Sequence, residues 1–292
     1  MRPVFRLHDV RSAPQIDRDL LVHRVIPVAR ALIQLGYFSF DVEGLEHVPR
    51  EGPVVFAQNH AGWFALDAFF VTLAVAQGHG LRRAPYFATH DAALAAPVLG
   101  PFLQRFGALP ASWFRRPEKL PPEVESIGIC PEGVQGNTKP FWQAYRMKDW
   151  NRGFVRVAIA RDAPIVPVAV LGSEECLPVA WTVRVLEPLV GSIFGAPLTP
   201  IPLPSRWRVV FHPPVHVAAH GREAIADAAF CTSVARHVQG IVQRTLDERA
   251  AGYPLGRLSA WFAEQRARRA AAEDRTFDPL APEPQPGPRS AA

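Results

Sequence analysis

The chain has 292 residues, 48% hydrophobic and 20% charged, a composition that buries a core and excludes a disordered or fibrous polymer. Its three cysteines, Cys130, Cys176 and Cys231, are odd in number and lack CxxC spacing, so neither a disulfide framework nor a structural zinc site is expected, and the setting reads as reducing and cytosolic. A net charge of +5, a pI of about 9.5 and a mean hydropathy of +0.02 join basic to apolar character. That pairing points to an anionic membrane surface rather than nucleic acid, for which no helix-turn-helix, RNP-type or zinc-finger pattern is present.

Residues 16–37 carry apolar residues at helical spacing with Arg18, Arg24 and Arg30 interspersed, predicting a helix that covers the domain or lies on a membrane. These arginines, and Arg184 with Glu187 further on, interrupt every long apolar run, so no spanning helix is expected. The mixed charges before residue 20 do not follow the plan of a secretory signal. Strands are predicted at Phe38 to Val42 and Val54 to Ala57, followed by Gln58-Asn59-His60-Ala61-Gly62 and an apolar helix from Ala68 to Ala76. Pro85 to Thr89 reads as a strand and Ala92 to Phe106 as a helix that Pro97, Gly100 and Pro101 kink or split. Ile127 to Cys130 is a short strand, Asn151 to Arg161 a helix and Ile165 to Leu171 a β-branched strand. A Pro-rich connection from Pro178 to Pro204 leads to strand Trp207 to Phe211 and a helix over 222–249. With 30 prolines, about twice the average usage of ~5%, long uninterrupted helices are disfavoured in the last third. From Asp274 onward the prolines and the near absence of apolar anchors predict a disordered tail. Strands alternating with helices predict an α/β fold, a layered, mostly parallel central sheet flanked by helices.

Two segments carry candidate chemistry. His60 follows a strand, has small neighbours Ala61 and Gly62 through which a substrate can approach, and precedes Asp67 at a predicted helix start. A carboxylate on one ring nitrogen leaves the other free to take a proton from an alcohol; Asp67 also suits the N-cap of the helix. The second segment, Cys130-Pro131-Glu132-Gly133-Val134-Gln135-Gly136-Asn137-Thr138-Lys139, pairs flexible glycines with backbone amides and a lysine able to meet an anion. Cys130 itself reads as a small hydrophobe ending a strand. His212, His216 and His220 are kept from a helical metal face by Pro213 and Pro214, and Gly172-Ser173-Glu174 lacks the second glycine of a nucleophile elbow. Leu94, Val98, Leu99, Phe102, Leu103, Phe106, Trp113 and Phe114, with Arg105, Arg115 and Arg116, are a candidate interfacial patch.

Asn59-His60 followed by Asp67, then Pro131-Glu132-Gly133, then Ile165-Val166-Pro167-Val168-Ala169, resembles the glycerolipid acyltransferase family, in its monoacylglycerol-acyltransferase-like branch. Lys139-Pro140-Phe141, Gly153-Phe154-Val155-Arg156 and Leu203-Pro204-Ser205-Arg206-Trp207 extend the likeness over roughly residues 40–215. The resemblance implies a layered αβ fold, His60 as general base, Asp67 orienting it, and acceptor binding by Asn59, Glu132, Gly133, Gln135, Lys139 and Arg152. It implies a peripheral enzyme on the cytosolic membrane face, moving an acyl group from acyl-CoA or acyl carrier protein to a lipid hydroxyl, with no metal, no other cofactor and no covalent enzyme intermediate. The alternative is a catalytically silent lipid- or acyl-chain-binding protein on the same fold. Two departures stand out: six residues separate His60 from Asp67, more than the family's commonest spacing, and Gln135 replaces its phosphate-contacting arginine. The expected organisation is an N-terminal helical segment (1–39), an acyltransferase core (40–215), a C-terminal helical extension (216–273) and the tail (274–292).

Overall fold

The computed structural model describes residues 15–62, 66–185, 187, 192–217 and 220–276. Short apolar runs bounded by turn residues form a seven-stranded sheet from β1 (Phe38–Glu43), β2 (Val54–Gln58), β3 (Tyr86–Thr89), β4 (Ala108–Pro110), β5 (Ser126–Ile129), β6 (Ile165–Leu171) and β9 (Ser205–Phe211). The strand order is β1-β9-β6-β2-β5-β3-β4. Every pairing is parallel except β6 with β9, so β1 and β9 run against the other five strands.

Side-chain alternation along the central strands divides the core in two. Val55, Ala57, Ile127, Ile129, Ile165, Ala169 and Leu171 point to one face, where α6 (Gly153–Ala160) and α8 (Ala228–Arg249) cover them. Val54, Phe56, Val166, Val168 and Val170 point to the other, against α2 (Leu66–His79) and the partly buried Leu32 and Ile33 of α1. That N-terminal helix runs Arg18–Leu20, a π-helical stretch Leu21–Val25, then Ile26–Gln34. Phe70 of α2 stacks on Trp207 of β9 with ring centroids 3.8 Å apart, and the α8 residues Cys231, Ala235, Val238, Val242 and Leu246 form the stripe that seals the opposite face.

The helix over Ala92 to Phe106 is split, as its prolines led one to expect, into α3 (Asp91–Ala95) and α4 (Leu99–Gln104), because Ala96, before Pro97, is extended with ψ 130°. Other expectations are corrected. The connection from Pro178 to Pro204 holds a separate antiparallel hairpin, β7 (Val179–Val183) with β8 (Phe194–Pro197). Long helices do occur in the last third: α8 has 22 residues and α9 (Pro254–Thr276) has 23. The sequence between Pro214 and Pro254 is free of proline, and Pro254 opens its helix, where it sacrifices no hydrogen bond. Asp274 to Thr276 belong to α9, and the rest of the foreseen tail lies outside the described residues. Of the foreseen interfacial patch, Leu94 and Phe114 are core residues, whereas Val98 and Phe102 are exposed. No helix among the described residues is long and apolar enough to cross a membrane.

Candidate active site

The adjacent strands β6, β2 and β5 end together, and the chain leaving each carboxyl end builds the site, the edge at which parallel α/β sheets open to ligands. From β2 come Asn59 and His60, from β5 Cys130 and Glu132 with α5 (Val134–Asn137), and from β6 Gly172 and α7 (Ser173–Cys176).

Asn59 is fully buried and acts as one more rung of the sheet. Its Nδ2 donates to the Val170 carbonyl at 2.9 Å and its Oδ1 accepts from the Val170 amide at 2.7 Å. With both ends of its amide bonded to the sheet and no surface exposed, it anchors the turn that presents His60, which corrects its expected role as a substrate contact.

His60 is held at both ends. Its backbone N–H donates to Glu132 Oε1 at 3.0 Å, and its Nδ1 stands 2.6 Å from Asp67 Oδ2. The Asp67 side chain is fully buried and that of His60 is 12% exposed, so the ring is the part of the pair that meets solvent. Asp67 Oδ2 also accepts from the Ala61 amide at 3.1 Å and Oδ1 from the Ala68 amide at 2.8 Å, within the first turn of α2, where a negative side chain is favoured. Asp67 lies inside the helix rather than at its N-cap, so one carboxylate satisfies a first-turn amide and orients the ring, and six intervening residues do not prevent the contact. With Nδ1 committed to Asp67, Nε2 is the nitrogen left to exchange a proton. Burial is the strongest single influence and opposes a charge on the ring, but Asp67 and the neighbouring Cys130 sulfur together outweigh it and raise His60 well above its usual value.

The glycines near His60 serve packing. A Cβ on Gly62, at φ 72°, would lie 2.5 Å from the Ser173 carbonyl oxygen, so its smallness admits α7 and not a substrate, contrary to expectation. Gly136 was not singled out from the sequence, yet a Cβ there would fall 2.8 Å from both the Cβ and the carbonyl oxygen of His60. Gly133 has φ 58° and ψ −150°, a backbone region almost confined to glycine, and faces open space. Ser173, also missed, donates its hydroxyl proton to the Ala61 carbonyl.

Glu132 and Lys139 are corrected as substrate contacts. The Glu132 carboxylate is consumed by the His60 amide, by the Lys148 amide at 2.7 Å and by Lys139 Nζ at 3.3 Å. Lys139 is buried, with Glu174 Oε1 as its second carboxylate at 3.9 Å. Glu174 Oε1 in turn accepts from the Tyr145 amide at 3.1 Å. Arg152 opens α6 on the sheet face opposite α2, its side chain exposed, and is not brought to His60. Gln135 and Gly133 remain on the accessible rim, Gln135 exposed and Gly133 partly so. Among His212, His216 and His220, His212 pairs with Thr245 and His220 packs on Phe230, so no trio forms.

Cys130 lies beside His60. Ile127 and Ile129 face α6 and α8, so the next position in the alternation turns to the α2 side, where the His60–Asp67 pair sits. Among the described residues, His60, Asp67 and Cys130 form a group of metal-ligating type, their ligand atoms within 4.8 Å of one another. The 2.6 Å His60–Asp67 contact is hydrogen-bond geometry, shorter than the spacing of two ligands on one zinc ion. Burial pushes the Cys130 thiol up, and the His60 ring pulls it partly back.

The sequence model of the family described as Acyltransferase matches residues 39–171, the stretch holding every site residue named above from Asn59 to Lys139. An uncharacterized protein of Mycobacterium tuberculosis is 31% identical over 228 residues, covering 74% of this chain and 63% of that protein. An uncharacterized protein of Mycobacterium leprae is 30% identical over 228 residues, covering 74% and 62%. The chain thus spans less than two thirds of the length of these curated relatives. Among solved structures, the 1-acyl-sn-glycerophosphate (LPA) acyltransferase PlsC from Thermotoga maritima has a similar fold, with TM-score 0.50 and 13% identity over 79% of this chain and 81% of that one.

Proposed function

We propose that the chain is an acyltransferase, a reading supported by the match of residues 39–171 to the Acyltransferase model, and that it transfers a fatty acyl group from a thioester, acyl-CoA or acyl carrier protein, to a hydroxyl of a glycerolipid at the cytosolic membrane face. The observation that carries this reading is the His60–Asp67 pair at 2.6 Å, with Nε2 left free at the open carboxyl edge of the central strands. His60 takes the proton of the lipid hydroxyl as the oxygen adds to the thioester carbonyl, Asp67 stabilises the imidazolium that forms, and the collapsing adduct expels a thiolate that takes the proton back.

The state of the cations supports a neutral or zwitterionic acceptor. Glutamine cannot grip a phosphate through a charged bidentate fork. Lys139, the cation of the same loop, is paired with Glu132 and Glu174. Membrane attachment is supported by exposed apolar side chains on two linked elements: Val22, Val28 and Leu35 on and just after α1, and Val98 and Phe102 at α4. An Asp17–Arg105 ion pair at 2.8 Å ties the start of α1 to the end of α4.

The test is thiol release when acyl-CoA or acyl carrier protein is mixed with a panel of hydroxylated lipids. His60→Ala is expected to lower turnover by about two to four orders of magnitude, the scale of a general base, with the fold intact. Turnover within about threefold of the wild type would remove His60 from the mechanism.

A further inference from the structure

His60 is held by its backbone as well as its ring, because its N–H donates to Glu132 Oε1 at 3.0 Å. The other oxygen, Glu132 Oε2, accepts from the Lys148 amide at 2.7 Å, so one carboxylate ties the base to the segment that runs from Tyr145 to Trp150. Residues 146–150 lie in neither helix nor strand, and what fixes them is α8 on the far face of the sheet. Gln243 Oε1 accepts from the Met147 amide at 3.0 Å, and its Nε2 donates to the Tyr145 carbonyl and to Asp247 Oδ1, both at 2.9 Å. One turn earlier, Gln239 Oε1 accepts from the Trp150 amide at 3.3 Å and its Nε2 donates to the Lys148 carbonyl at 3.1 Å. Each carboxamide therefore binds one carbonyl and the amide two residues on, as a neighbouring strand would. Between the two pairs the Lys148 amide is left to meet Glu132.

The ends of the segment are tied as firmly. Asn151 donates its amide at 3.1 Å and its Nδ2 at 2.6 Å to the carbonyl of Pro131, beside Glu132. Tyr145 is buried at φ 62°, a backbone that residues with side chains seldom adopt. Such a conformation persists only where its surroundings over-determine it, and such residues cluster at functional sites. Here the Tyr145 amide donates to Glu174 Oε1 at 3.1 Å, its carbonyl accepts from Gln243, and its hydroxyl donates to Glu175 Oε1 at 3.3 Å. Resting on the acyltransferase reading above, we propose that Gln239 and Gln243 are positioning residues: they set the Lys148 amide against Glu132 and, through that carboxylate, fix the His60 base. The relay crosses the carboxyl edge of the sheet, from α8 on one face to the His60–Asp67 pair on the other.

The test is thiol release by the full-length protein with its best acceptor, with kcat expressed per folded molecule from urea unfolding. The double variant Gln239→Met/Gln243→Met keeps side-chain length and removes all four main-chain bonds. Its kcat is expected to fall about 10²-fold, the scale on which a remote substitution that displaces a reacting group costs rate, with KM unchanged. Glu132→Gln cuts the relay at its centre, since a carboxamide offers an acceptor oxygen at one end only and cannot serve both amides. On that background the glutamine pair should cost less than about threefold more, because residues acting through one group are not additive. The full loss persisting in Glu132→Gln overturns the relay. So does a folded double variant with wild-type kcat, or a loss confined to KM or to the folded fraction. Should the double variants fail to fold, Gln243→Glu, which keeps the acceptor oxygen and loses the donor, decides by the same split of kcat from KM. All of these outcomes leave the wild-type activity, and so the acyltransferase reading, standing. No thiol release by the wild type with any donor and acceptor overturns both.

Discussion

Gly136→Ala separates catalytic geometry from stability. The added methyl carbon would stand 2.8 Å from the Cβ and carbonyl oxygen of His60 and 2.9 Å from the Cβ of Glu132, against an ordinary contact of 3.4 Å or more. None of these atoms is the far end of a flexible side chain. The obstructed atoms are backbone or backbone-proximal, so about 0.6 Å of movement must be shared between α5 and the turn that carries His60. Glu132 Oε1 holds the His60 amide at 3.0 Å, so the shift also loosens the contact that fixes the base. Displacements approaching 1 Å at a reacting group cost about 10²-fold in rate, and turnover is expected to fall by roughly that factor. Gly133→Ala is the contrasting perturbation: nothing lies within 4 Å, but its φ of 58° and ψ of −150° make any side chain strained, at about 1–3 kcal/mol. That variant should lose stability in urea while retaining far more of its rate. The assay is thiol release with the best acceptor, alongside urea unfolding of each variant. Gly136→Ala with wild-type turnover and wild-type stability would refute the packing of α5 against His60 and the positioning role derived from it.

Four further outcomes are expected. His60 works as a base only when neutral, so with its titration raised above 6.5 the rate should climb with pH through a midpoint higher than that value, and Asp67→Asn, which removes the raising charge, should move the midpoint down; a midpoint unchanged in Asp67→Asn would detach Asp67 from the ring. The stability linked to the His60–Asp67 pair has the opposite sense, being present at low pH below the unfolded histidine value and lost as pH rises through the raised one. Lys139→Met leaves Glu132 a buried carboxylate without its cation and should cost about 3–5 kcal/mol in urea unfolding, whereas a head-group lysine would cost affinity and little stability. Gln135→Arg is expected to raise the use of lysophosphatidic acid in competition with monoacylglycerol, because position 135 is exposed on the rim; no change would place the head group elsewhere.

The strands that carry the site were legible because each is a short β-branched run ended by a turn signal: Val54 to Gln58, Ser126 to Ile129 and Ile165 to Leu171. The β7–β8 hairpin was not, since Gly195 and Pro197 of Phe194–Pro197 weaken its strand signal, and Thr182 Oγ1, by donating to the Thr138 carbonyl at 2.8 Å, ties it to a partner remote in sequence. The same remoteness explains the misread polar residues. Asn59, Glu132 and Lys139 look like substrate contacts in a one-dimensional motif because a buried and an exposed carboxamide, carboxylate or ammonium are written with the same letters. Only the fold shows that Val170 bonds Asn59, that the Lys148 amide bonds Glu132, and that Lys139 is buried between the carboxylates of Glu132 and Glu174. A polar group at the end of a buried strand must find partners within the protein or keep its atoms open to a ligand. The residues closed by long-range partners therefore build the frame, and those that keep atoms open, His60 at Nε2 and Gln135 on the rim, mark the face that substrates would approach.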